Sequence, residues 1–405
     1  MNNPIQLEDV RRAQEALQGV TFTTPLQESG HINDLLGRRV LFKLENLQRT
    51  GSFKLRGAYN RLRRLSAEEL KRGVVAASAG NHAQGVALAA RLVGTTALIF
   101  MPQGASLTKI ESTRGYGAEV RLFGETFDDA YRAALQHADE SGRVMIPAFD
   151  DRDIIAGQGT VGLEMLDERP NVDAIVVPVG GGGLIAGIAL AVKARHPGVK
   201  IIGVQAEGAQ SMALSRREGA VRVAPLVRTI ADGIAVKRPG DMTFPLIQQY
   251  VDDIVTVSEH DISRAILLFL ERSKLVVEGA GAVGLAALLS DKIPMALGTI
   301  GIVVSGGNID VTLLNRIIEK GLVEEGRQVH LKTVVGDRPG QLSNLLAHVA
   351  TLQANVIRVE HERWNPEISP TEVSVQIVVE ARNQEHIEEI LGRLRYEGYT
   401  VDVQK

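Results

Sequence analysis

Short apolar segments alternate with amphipathic segments between Val40 and Gly321, and this alternation restricts the fold more than any other feature of the chain. The apolar segments are rich in Val, Ile and Ala and end near glycines, as is typical of strands buried on both faces. Strands of this kind separated by helices predict an α/β fold with parallel sheets covered by helices. The expected strands are Val74–Ala77, Ala97–Met101, Ala174–Pro178, Lys200–Gln205 and Thr299–Val304, and the expected helices are Asn81–Val93, Phe127–Glu140, Leu184–Arg195 and Ile262–Arg272. Ser258 and Asp261 match a capping box before the last of these helices.

A different pattern follows the polar stretch Glu324–Arg327, which we interpret as a linker covering residues 324–328. The elements beyond it have the order β-α-β-β-α-β, which predicts a ferredoxin-like unit. The chain is therefore expected to form one domain over residues 1–323 and a second over residues 329–405. The expected elements of the second domain are Val329–Val335, Leu342–Leu352, Asn355–Glu362, Glu372–Val379, Gln384–Tyr396 and Tyr399–Val403.

Composition excludes several classes of function. The chain has no cysteine, so disulfides, thiolate metal sites and a cysteine nucleophile are excluded. Its net charge of -3, the mixed distribution of charges and a single Trp argue against a nucleic-acid partner. No segment approaches the roughly 20 apolar residues of a membrane helix, and Met1–Val20 lacks the apolar part of a signal peptide. We expect a cytoplasmic protein without a membrane partner.

Lys54 is the first candidate for chemistry. It ends the segment Thr50-Gly51-Ser52-Phe53-Lys54, between an expected strand at Val40–Leu44 and a helix that begins near Lys54. The positive end of the helix dipole disfavours a charged lysine there. The same field, together with desolvation, lowers the pKa of the amine and favours a Schiff base. The alternative is an ordinary solvated lysine.

Two further loops lie between a strand and a helix. The first, Ser78-Ala79-Gly80-Asn81-His82, presents backbone N–H groups that suit a carboxylate. Its alternative roles are helix capping by Ser78 or Asn81 and simple packing of His82. The second, Gly180-Gly181-Gly182-Gly183-Leu184, allows a close approach of backbone to phosphate. The spacing of Gly181, Gly183 and Ala186, with Glu207 beyond, also matches a dinucleotide-binding fingerprint and hence an NAD-dependent oxidoreductase.

Two shorter motifs complete the set. Ser305-Gly306-Gly307-Asn308 follows the strand Thr299–Val304, where a hydroxyl could face a ring nitrogen; alone, the motif indicates only a turn. Glu278-Gly279-Ala280-Gly281 marks a helix start, and its acid could either cap the helix or belong to a site.

In order and spacing, these motifs resemble the fold-type II pyridoxal-phosphate enzymes, specifically the catabolic-type threonine/serine dehydratases. The resemblance spans residues 20–320, whereas the dinucleotide fingerprint accounts only for the glycine loop, so we discard the oxidoreductase alternative. The matching stretches are Lys43–Lys54, Ser78–Gln84, Gly180–Gly183, Thr229–Gly233, Glu278–Gly281 and Ser305–Asn308.

The resemblance implies two parallel-sheet subdomains like those of the tryptophan synthase β-subunit, the smaller one at about residues 50–150 inserted in the larger. It also implies pyridoxal 5′-phosphate as cofactor, Lys54 as its covalent attachment and catalytic residue, and L-threonine and L-serine as substrates. The products would be 2-oxobutanoate or pyruvate, with ammonia. The implied cofactor-binding residues are Phe53, Lys54, Asn81, Gly180, Gly181, Gly182, Gly183, Leu184 and Ser305, and the implied substrate-binding residues are Ser78, Ala79, Gly80, Asn81, His82 and Glu278.

The chain departs from related serine racemases at three positions. Ala79 stands where those racemases carry an acid–base serine, so racemisation should be minor. Gln205 and Ser211 stand where they carry acidic metal ligands, so we expect no tight Mg²⁺ site, while a monovalent cation stays open. A serine-preferring dehydratase, threonine synthase, a cysteine-synthase-like β-replacement enzyme and a degenerate amino-acid sensor are the alternatives; the intact Lys54 argues against the sensor.

The C-terminal unit resembles an ACT regulatory domain. Such domains bind amino acids at the first β-α turn, usually across paired copies, which implies an effector site at Asp337, Pro339, Gly340 and Asn355. Isoleucine or valine is the expected effector, because 2-oxobutanoate feeds isoleucine biosynthesis in the family. The expected assembly is a homodimer or homotetramer. The alternative is a dimerisation module without a ligand.

Overall fold

The N-terminal part of the chain contains ten strands within the described residues. The computed structural model describes residues 4–364 and 366–404, and its compact units divide between Val311 and Thr312. The strands of the first unit are β1 (Leu26–Glu28), β2 (Arg39–Leu44), β3 (Val74–Ala77), β4 (Ala97–Met101), β5 (Glu119–Leu122), β6 (Val144–Met145), β7 (Ala174–Pro178), β8 (Lys200–Ala206), β9 (Asp253–Val257) and β10 (Thr299–Val304).

These strands form two sheets. The larger has the order β1-β2-β10-β7-β8-β9, and only its edge strand β1 is antiparallel. The smaller, β5-β4-β3-β6, is entirely parallel. The predicted α/β class is therefore confirmed, and the smaller sheet is inserted between β2 and β7 of the larger one. Because β2, β10 and β7 are parallel neighbours, the loops that follow them meet at one edge of the sheet.

Thirteen α-helices surround these sheets in the described part of the first unit. The helices predicted at Asn81–Val93 and Phe127–Glu140 are confirmed, as is the capping box of Ser258 and Asp261. The last predicted helix instead begins at Glu259 and ends at Leu268, followed by a π-helical turn at Phe269–Ser273. The helices are α1 (Leu7–Leu17), α2 (Gly30–Leu36), α3 (Lys54–Leu62), α4 (Ala67–Arg72), α5 (Asn81–Val93), α6 (Leu107–Gly115), α7 (Phe127–Ser141), α8 (Arg152–Glu168), α9 (Gly183–Arg195), α10 (Ser211–Glu218), α11 (Thr243–Tyr250), α12 (Glu259–Leu268) and α13 (Gly279–Leu289).

Glycines bring α8 and α9 unusually close together. A Cβ atom at Gly159 would lie 2.8 Å from the carbonyl oxygen of Gly187, and a Cβ at Gly187 would overlap the carbonyl oxygen of Ile155. Both helices are buried along most of their length. This close packing fixes the N-terminus of α9, which follows the tetraglycine segment.

A buried ion-pair network ties β2 to α3 and α8. Arg56 bonds both Glu45 oxygens at 2.8 Å and the Glu164 oxygens at 2.5 and 2.9 Å. Lys43 Nζ lies 2.6 Å from Glu164, and Thr24 donates to Glu45 at 2.5 Å. Burial raises the pKa of Glu45, but the charge and hydrogen bonds of Arg56 outweigh it, so the pKa is lowered and the carboxylate is charged. The network fixes the start of α3, where Lys54 lies.

The second compact unit contains one four-stranded antiparallel sheet in the order β12-β13-β11-β14. After α14, its elements follow the predicted β-α-β-β-α-β order. The last strand begins later than predicted, because Tyr399 N–H still bonds to the carbonyl of Leu394 and Gly398 has a φ of 91°. The elements are α14 (Val311–Glu324), β11 (Gln328–Gly336), α15 (Gln341–Thr351), β12 (Asn355–Glu362), β13 (Glu372–Glu380), α16 (Gln384–Tyr396) and β14 (Val401–Gln404).

The predicted linker at residues 324–328 has only three residues outside regular elements. Helix α14 continues to Glu324 and β11 begins at Gln328. The exact division into residues 1–323 and 329–405 stays a prediction. Across the described residues, the helices are too short or too polar to span a membrane.

Candidate active site

The loops after β2 and β10 contact each other through an isolated antiparallel bridge between Ser52 and Gly306, which brings Lys54 close to Ser305. Phe53 N–H donates to the carbonyl of Ser305 at 3.2 Å, and Gly307 N–H donates to the carbonyl of Gly51 at 2.9 Å. Ser305 itself is only 2% exposed. A lysine and a buried hydroxyl residue, 251 positions apart in the sequence, thus lie at one edge of the larger sheet.

Lys54 is the first residue of α3, as predicted. Its Nζ donates to the carbonyl of Ala148 at 2.8 Å and lies 5.1 Å from the centre of the Phe53 ring. Burial lowers the pKa of Lys54 to about 8, although the charge of Glu278 acts in the opposite direction. A large fraction of this amine is therefore neutral near pH 8, the form that attacks a carbonyl carbon or accepts a proton.

The loop Ser78–His82 follows β3 of the smaller sheet and opens α5. Within the described chain, the N–H groups of Ala79 and of residues 81–83 have no hydrogen-bond acceptor. No atom lies within 4 Å of a Cβ built at Gly80, so space is open beside these donors. Free N–H groups at a helix N-terminus form a seat for a carboxylate.

The structure separates the predicted roles of this loop. Neither Ser78 nor Asn81 caps α5: Gly80 is the N-cap residue and no side-chain cap bond is formed. The His82 side chain is buried, and its Nε2 lies 2.9 Å from the carbonyl oxygen of Ile146. Burial and then the Lys54 charge lower the pKa of His82 to about 3, so the ring is neutral. The His82 side chain thus has the packing role given above as the alternative, and only its backbone N–H is available to a ligand.

Glu278 occupies the N-cap position of α13, but its side chain makes no capping hydrogen bond, contrary to the simpler interpretation of the sequence. Its Oε1 instead accepts a hydrogen bond from Asn81 Nδ2 at 2.7 Å. Burial, followed by the charge of Asp232, raises the pKa of Glu278 to about 8. The carboxyl group therefore carries a proton at neutral pH and joins the Asn81 loop to α13.

The tetraglycine segment forms an enclosed cradle. The N–H groups of residues 180–184 donate to no acceptor in the part of the chain that the structure describes. Gly182 has a φ of 99°, and a Cβ at Gly181 would overlap the Phe149 ring. The glycines therefore allow neighbouring groups to pack closely against the segment, and its unpaired N–H groups at the N-terminus of α9 are suited to an anion with several oxygens, such as phosphate.

Sequence reasoning missed Thr243 and Asp150 near this cradle and gave no separate role to Asp232. Thr243 Oγ1 donates to the carbonyl of Gly181 at 2.6 Å, and Asp150 accepts bonds from three N–H groups at the start of α11. Asp232, in the Thr229–Gly233 motif, pairs with Lys109 of α6. None of these residues lies in a glycine-rich strand–helix loop, the signal that identified the others.

Gln205 and Ser211 satisfy their polar groups internally. Gln205 Nε2 donates to the carbonyls of Val179 and Ala209 at 3.1 Å each, and its Oε1 accepts from Ala213 N–H. Ser211 Oγ donates to the carbonyl of Val236 at 2.7 Å. The Gln205 amide thus lies between two backbone carbonyls. A search of the described residues finds no cluster of three His, Cys, Asp or Glu side chains suited to a metal ion.

The residues predicted to bind an effector do not meet within one chain. Asp337 forms a two-pronged pair with Arg363, at 3.0 and 3.1 Å, beside the turn in which Gly340 precedes α15. Gly336 pairs with Glu372 at one end of β13, whereas Asn355 pairs with Glu380 at the other end. Asp337 and Asn355 therefore lie at opposite ends of the antiparallel sheet β12-β13-β11-β14.

Comparison with known proteins gives a consistent result. Residues 17–306 match the family model described as "Pyridoxal-phosphate dependent enzyme". The L-threonine ammonia-lyase of Thermotoga maritima is 50% identical over 399 residues, which covers 98% of this chain and 99% of the relative. Threonine deaminase isoform 2 of Solanum lycopersicum aligns with a TM-score of 0.74 at 40% identity, covering 78% of this chain and 90% of that one. Maize serine racemase aligns with a TM-score of 0.75 at 37% identity, covering 80% and 99%.

Proposed function

The chain belongs to the family of pyridoxal-phosphate-dependent enzymes, and we propose that it converts L-threonine to 2-oxobutanoate and ammonia, and L-serine to pyruvate and ammonia. The observation that carries the proposal is the part-buried Lys54 amine, which donates to the carbonyl of Ala148, together with two strand–helix loops whose N–H groups are free in the described chain. The Thermotoga maritima relative, named as an L-threonine ammonia-lyase, supports it along 98% of the chain.

The residues present fit the cofactor. The cradle has free N–H groups for a phosphate, and Ser305 supplies a buried hydroxyl at the end of β10. When bound, pyridoxal phosphate supplies an electron sink that stabilises negative charge at Cα of an amino acid. The residues that would hold it are Phe53, Lys54, Asn81, Gly180, Gly181, Gly182, Gly183, Leu184 and Ser305.

The residues of this chain perform the remaining work. The neutral amine of Lys54 accepts the Cα proton of the substrate, for which its lowered pKa suits it. The N–H groups of the Ser78–His82 loop bind and orient the substrate carboxylate. Loss of the β-hydroxyl as water then gives an unsaturated amine, which hydrolyses after release to a 2-oxo acid and ammonia.

Elimination rather than racemisation is proposed because of Ala79. Racemisation requires a proton donor on the face of Cα opposite Lys54, and a methyl group cannot donate a proton. Ala79 is only partly buried, at the tip of the loop that would bind the carboxylate. The similarity to maize serine racemase therefore does not by itself imply that this chain is a racemase.

A direct assay tests the proposal. The cofactor-loaded protein should release 2-oxo acid and ammonia in equal amounts from L-threonine and from L-serine. D-serine formation from L-serine should be minor by comparison. A loaded protein that releases no 2-oxo acid from either substrate would contradict the proposal, and mainly D-serine would favour a racemase.

Replacing Ser305 by alanine is expected to weaken cofactor binding only modestly. A single hydrogen bond contributes about 1 kcal/mol, so the Kd of the cofactor should rise about fivefold while turnover persists. Titration of the cofactor-free protein, followed by absorbance, measures this change. Ser290→Ala is the control: Ser290 follows the C-terminus of α13, and in the described chain its Oγ donates to the carbonyl of Ala286. An unchanged Kd in Ser305→Ala would show that Ser305 does not contact the cofactor.

We further propose that the C-terminal unit is an ACT domain that binds isoleucine or valine. Its antiparallel β-α-β-β-α-β unit supports this proposal. Because Asp337 and Asn355 lie at opposite ends of the sheet, one ligand could contact both only if two copies of the domain are paired. The proposed assembly is therefore a homodimer or homotetramer, with Pro339 and Gly340 in the same turn as Asp337.

Removal of the C-terminal sheet β12-β13-β11-β14 should abolish regulation by isoleucine or valine. In the full-length protein, isoleucine or valine is expected to shift the apparent affinity for threonine by about 5- to 150-fold, the usual range of allosteric coupling. A chain that ends at Gly326 lacks the whole sheet and should turn over threonine without this shift. Calorimetry and initial rates would measure both effects. If neither amino acid binds the full-length protein, the unit is a dimerisation module.

A further inference from the structure

Asn308 connects two loops of the candidate site. Its Nδ2 donates to the carbonyl oxygen of Thr50 at 2.8 Å and to Asn81 Oδ1 at 2.7 Å. Thr50 lies in the loop that leads to Lys54, and Asn81 begins α5 in the smaller subdomain. We propose that Asn308 is a positioning residue that fixes the orientation of the Asn81 amide, and thereby the group that Asn81 presents to cofactor and substrate. The inference rests on the proposed function and adds a residue that controls the geometry of that site.

The direction of the hydrogen bonds is set by a backbone carbonyl. The two ends of an Asn amide have nearly the same shape, so its partners decide which end is nitrogen. The carbonyl of Thr50 can only accept, so the Asn308 atom that faces it must be Nδ2. The same Nδ2 then requires an acceptor from Asn81, which places Asn81 Oδ1 toward Asn308. Consequently Asn81 Nδ2 must face Glu278.

This orientation gives Asn81 a donor for a ligand. An Asn amide carries two N–H bonds, and Glu278 Oε1 accepts one of them at 2.7 Å. In the described part of the chain, the second N–H has no acceptor. Asn81 is partly exposed, so its free N–H is available to a ligand. A flipped amide would instead present a carbonyl oxygen and repel an anionic ligand.

Two glycines leave room for the hydrogen-bonded side chains of Asn308, Asn81 and Glu278. A Cβ at Gly51, where φ is 67°, would overlap Asn308 Oδ1, and a Cβ at Gly306 would overlap Glu278 Oε1. Both glycines belong to motifs identified in the sequence, which alone did not explain why glycine is needed at these two positions. Their lack of a side chain allows Asn308 and Glu278 to reach Asn81 from opposite sides.

The isosteric variant Asn308→Asp tests the orientation. Its carboxylate lies beside the Thr50 carbonyl and Asn81 Oδ1, two oxygens to which it cannot donate, so Asn81 must flip or the new carboxyl must take up a proton. We expect kcat/KM for threonine to fall about 100-fold at pH 8, because the carboxylate can donate neither of the two hydrogen bonds that Asn308 Nδ2 donates to Thr50 and Asn81. Near pH 6 the deficit should shrink at least about fivefold, because the protonated carboxyl donates to Asn81 and restores its orientation.

Asn308→Ala separates positioning from simple support. It removes both hydrogen bonds without adding a charge. The kcat/KM of Asn308→Ala, divided by that of the wild type at the same pH, should therefore be lower by about tenfold at every pH. Lys54, Asp232 and Lys109 also influence Glu278 electrostatically, so each variant is compared with the wild type at each pH. Glu278→Gln retains the acceptor for Asn81 and should not reproduce the pH dependence of Asn308→Asp.

Asn60→Asp is the matched control. Asn60 is a buried amide of α3 whose Nδ2 donates to the carbonyl of Asp153 at 2.7 Å, outside the candidate site. This variant should lower the unfolding temperature and leave the pH dependence of kcat/KM unchanged. An equal, pH-independent loss in Asn308→Asp and Asn308→Ala would overturn the proposal and leave Asn308 a structural residue.

A second readout does not require turnover. The affinity for pyridoxal phosphate and the visible absorption band of the lysine-bound cofactor should change with pH in Asn308→Asp differently from the wild type and from Asn308→Ala. If the wild type binds the cofactor but releases no 2-oxo acid, the proposed function fails while these spectra still decide the role of Asn308. Identical spectra and affinities for the wild type and Asn308→Asp across pH 6–8 would refute the inference.

Discussion

Replacing Lys54 by alanine is expected to abolish 2-oxo acid release, with a loss of at least about 10³-fold, since a positioned general base alone contributes 10²–10⁴-fold. The variant loses both the covalent attachment for the cofactor and the amine that accepts the Cα proton. The fold should persist, because within the described residues Nζ makes one hydrogen bond, to Ala148, worth about 1 kcal/mol. Desolvation of the amine opposes even that contribution, as its lowered pKa shows.

Three measurements check this expectation. The rate is measured as 2-oxo acid release, the cofactor attachment by the visible absorption band, and the fold by the unfolding temperature of the cofactor-free protein. Lys71→Ala is the matched control, because Lys71 is an exposed lysine of α4 that pairs with Glu68 at 3.0 Å. Wild-type turnover in Lys54→Ala would reject the whole functional assignment.

Replacing Arg56 by methionine is expected to destabilise the protein by about 3–5 kcal/mol, the usual cost of removing one partner from a buried ion network. Two carboxylates, Glu45 and Glu164, would share a single remaining cation, Lys43. The network is almost fully buried, so water cannot replace the lost guanidinium. Exposed pairs contribute only about 0–1 kcal/mol, so this position should stand out among the arginines.

Denaturant unfolding of the cofactor-free protein measures the effect. Arg64→Met is the control, since Arg64 pairs with Asp153 at 2.7 Å but is 40% exposed, and its loss should be less than about 1 kcal/mol. The lowered pKa of Glu45 means that its ionised form contributes stability above its unfolded pKa, which is lost as pH falls. The difference between wild type and Arg56→Met should therefore shrink in acid. A pH-independent difference below 1 kcal/mol would contradict this account.

The variants Lys54→Ala and Arg56→Met are expected to affect catalysis and stability separately, although both residues lie in α3. Lys54 begins α3 and Arg56 lies two residues later, yet the first should change turnover and the second the free energy of unfolding. The reason is their surroundings: the part-buried Lys54 amine bonds a backbone carbonyl, whereas the Arg56 guanidinium is enclosed by two carboxylates. Residue type and sequence spacing alone do not distinguish these environments.

Local sequence patterns determined the elements and the position of most candidate loops. Apolar segments such as Val74–Ala77 and Ala174–Pro178 can only be stable when buried on both faces, which predicts parallel strands. The glycine loop before Leu184 follows from the need for backbone to approach an anion without side chains. Both signals lie within a few neighbouring residues, so they are visible in the sequence itself.

Tertiary structure alone decided how the loops are joined. Asn81 meets Glu278 197 positions away and Asn308 227 positions away, and Asn308 meets Thr50 across 258 positions. The same long-range packing turned Glu278 from a helix cap into a partner of Asn81 and buried the His82 ring against Ile146. It also placed Asp337 and Asn355 at opposite ends of a sheet. Hydrogen-bond partners, burial and pKa depend on which distant segments pack together, and no local periodicity encodes that choice.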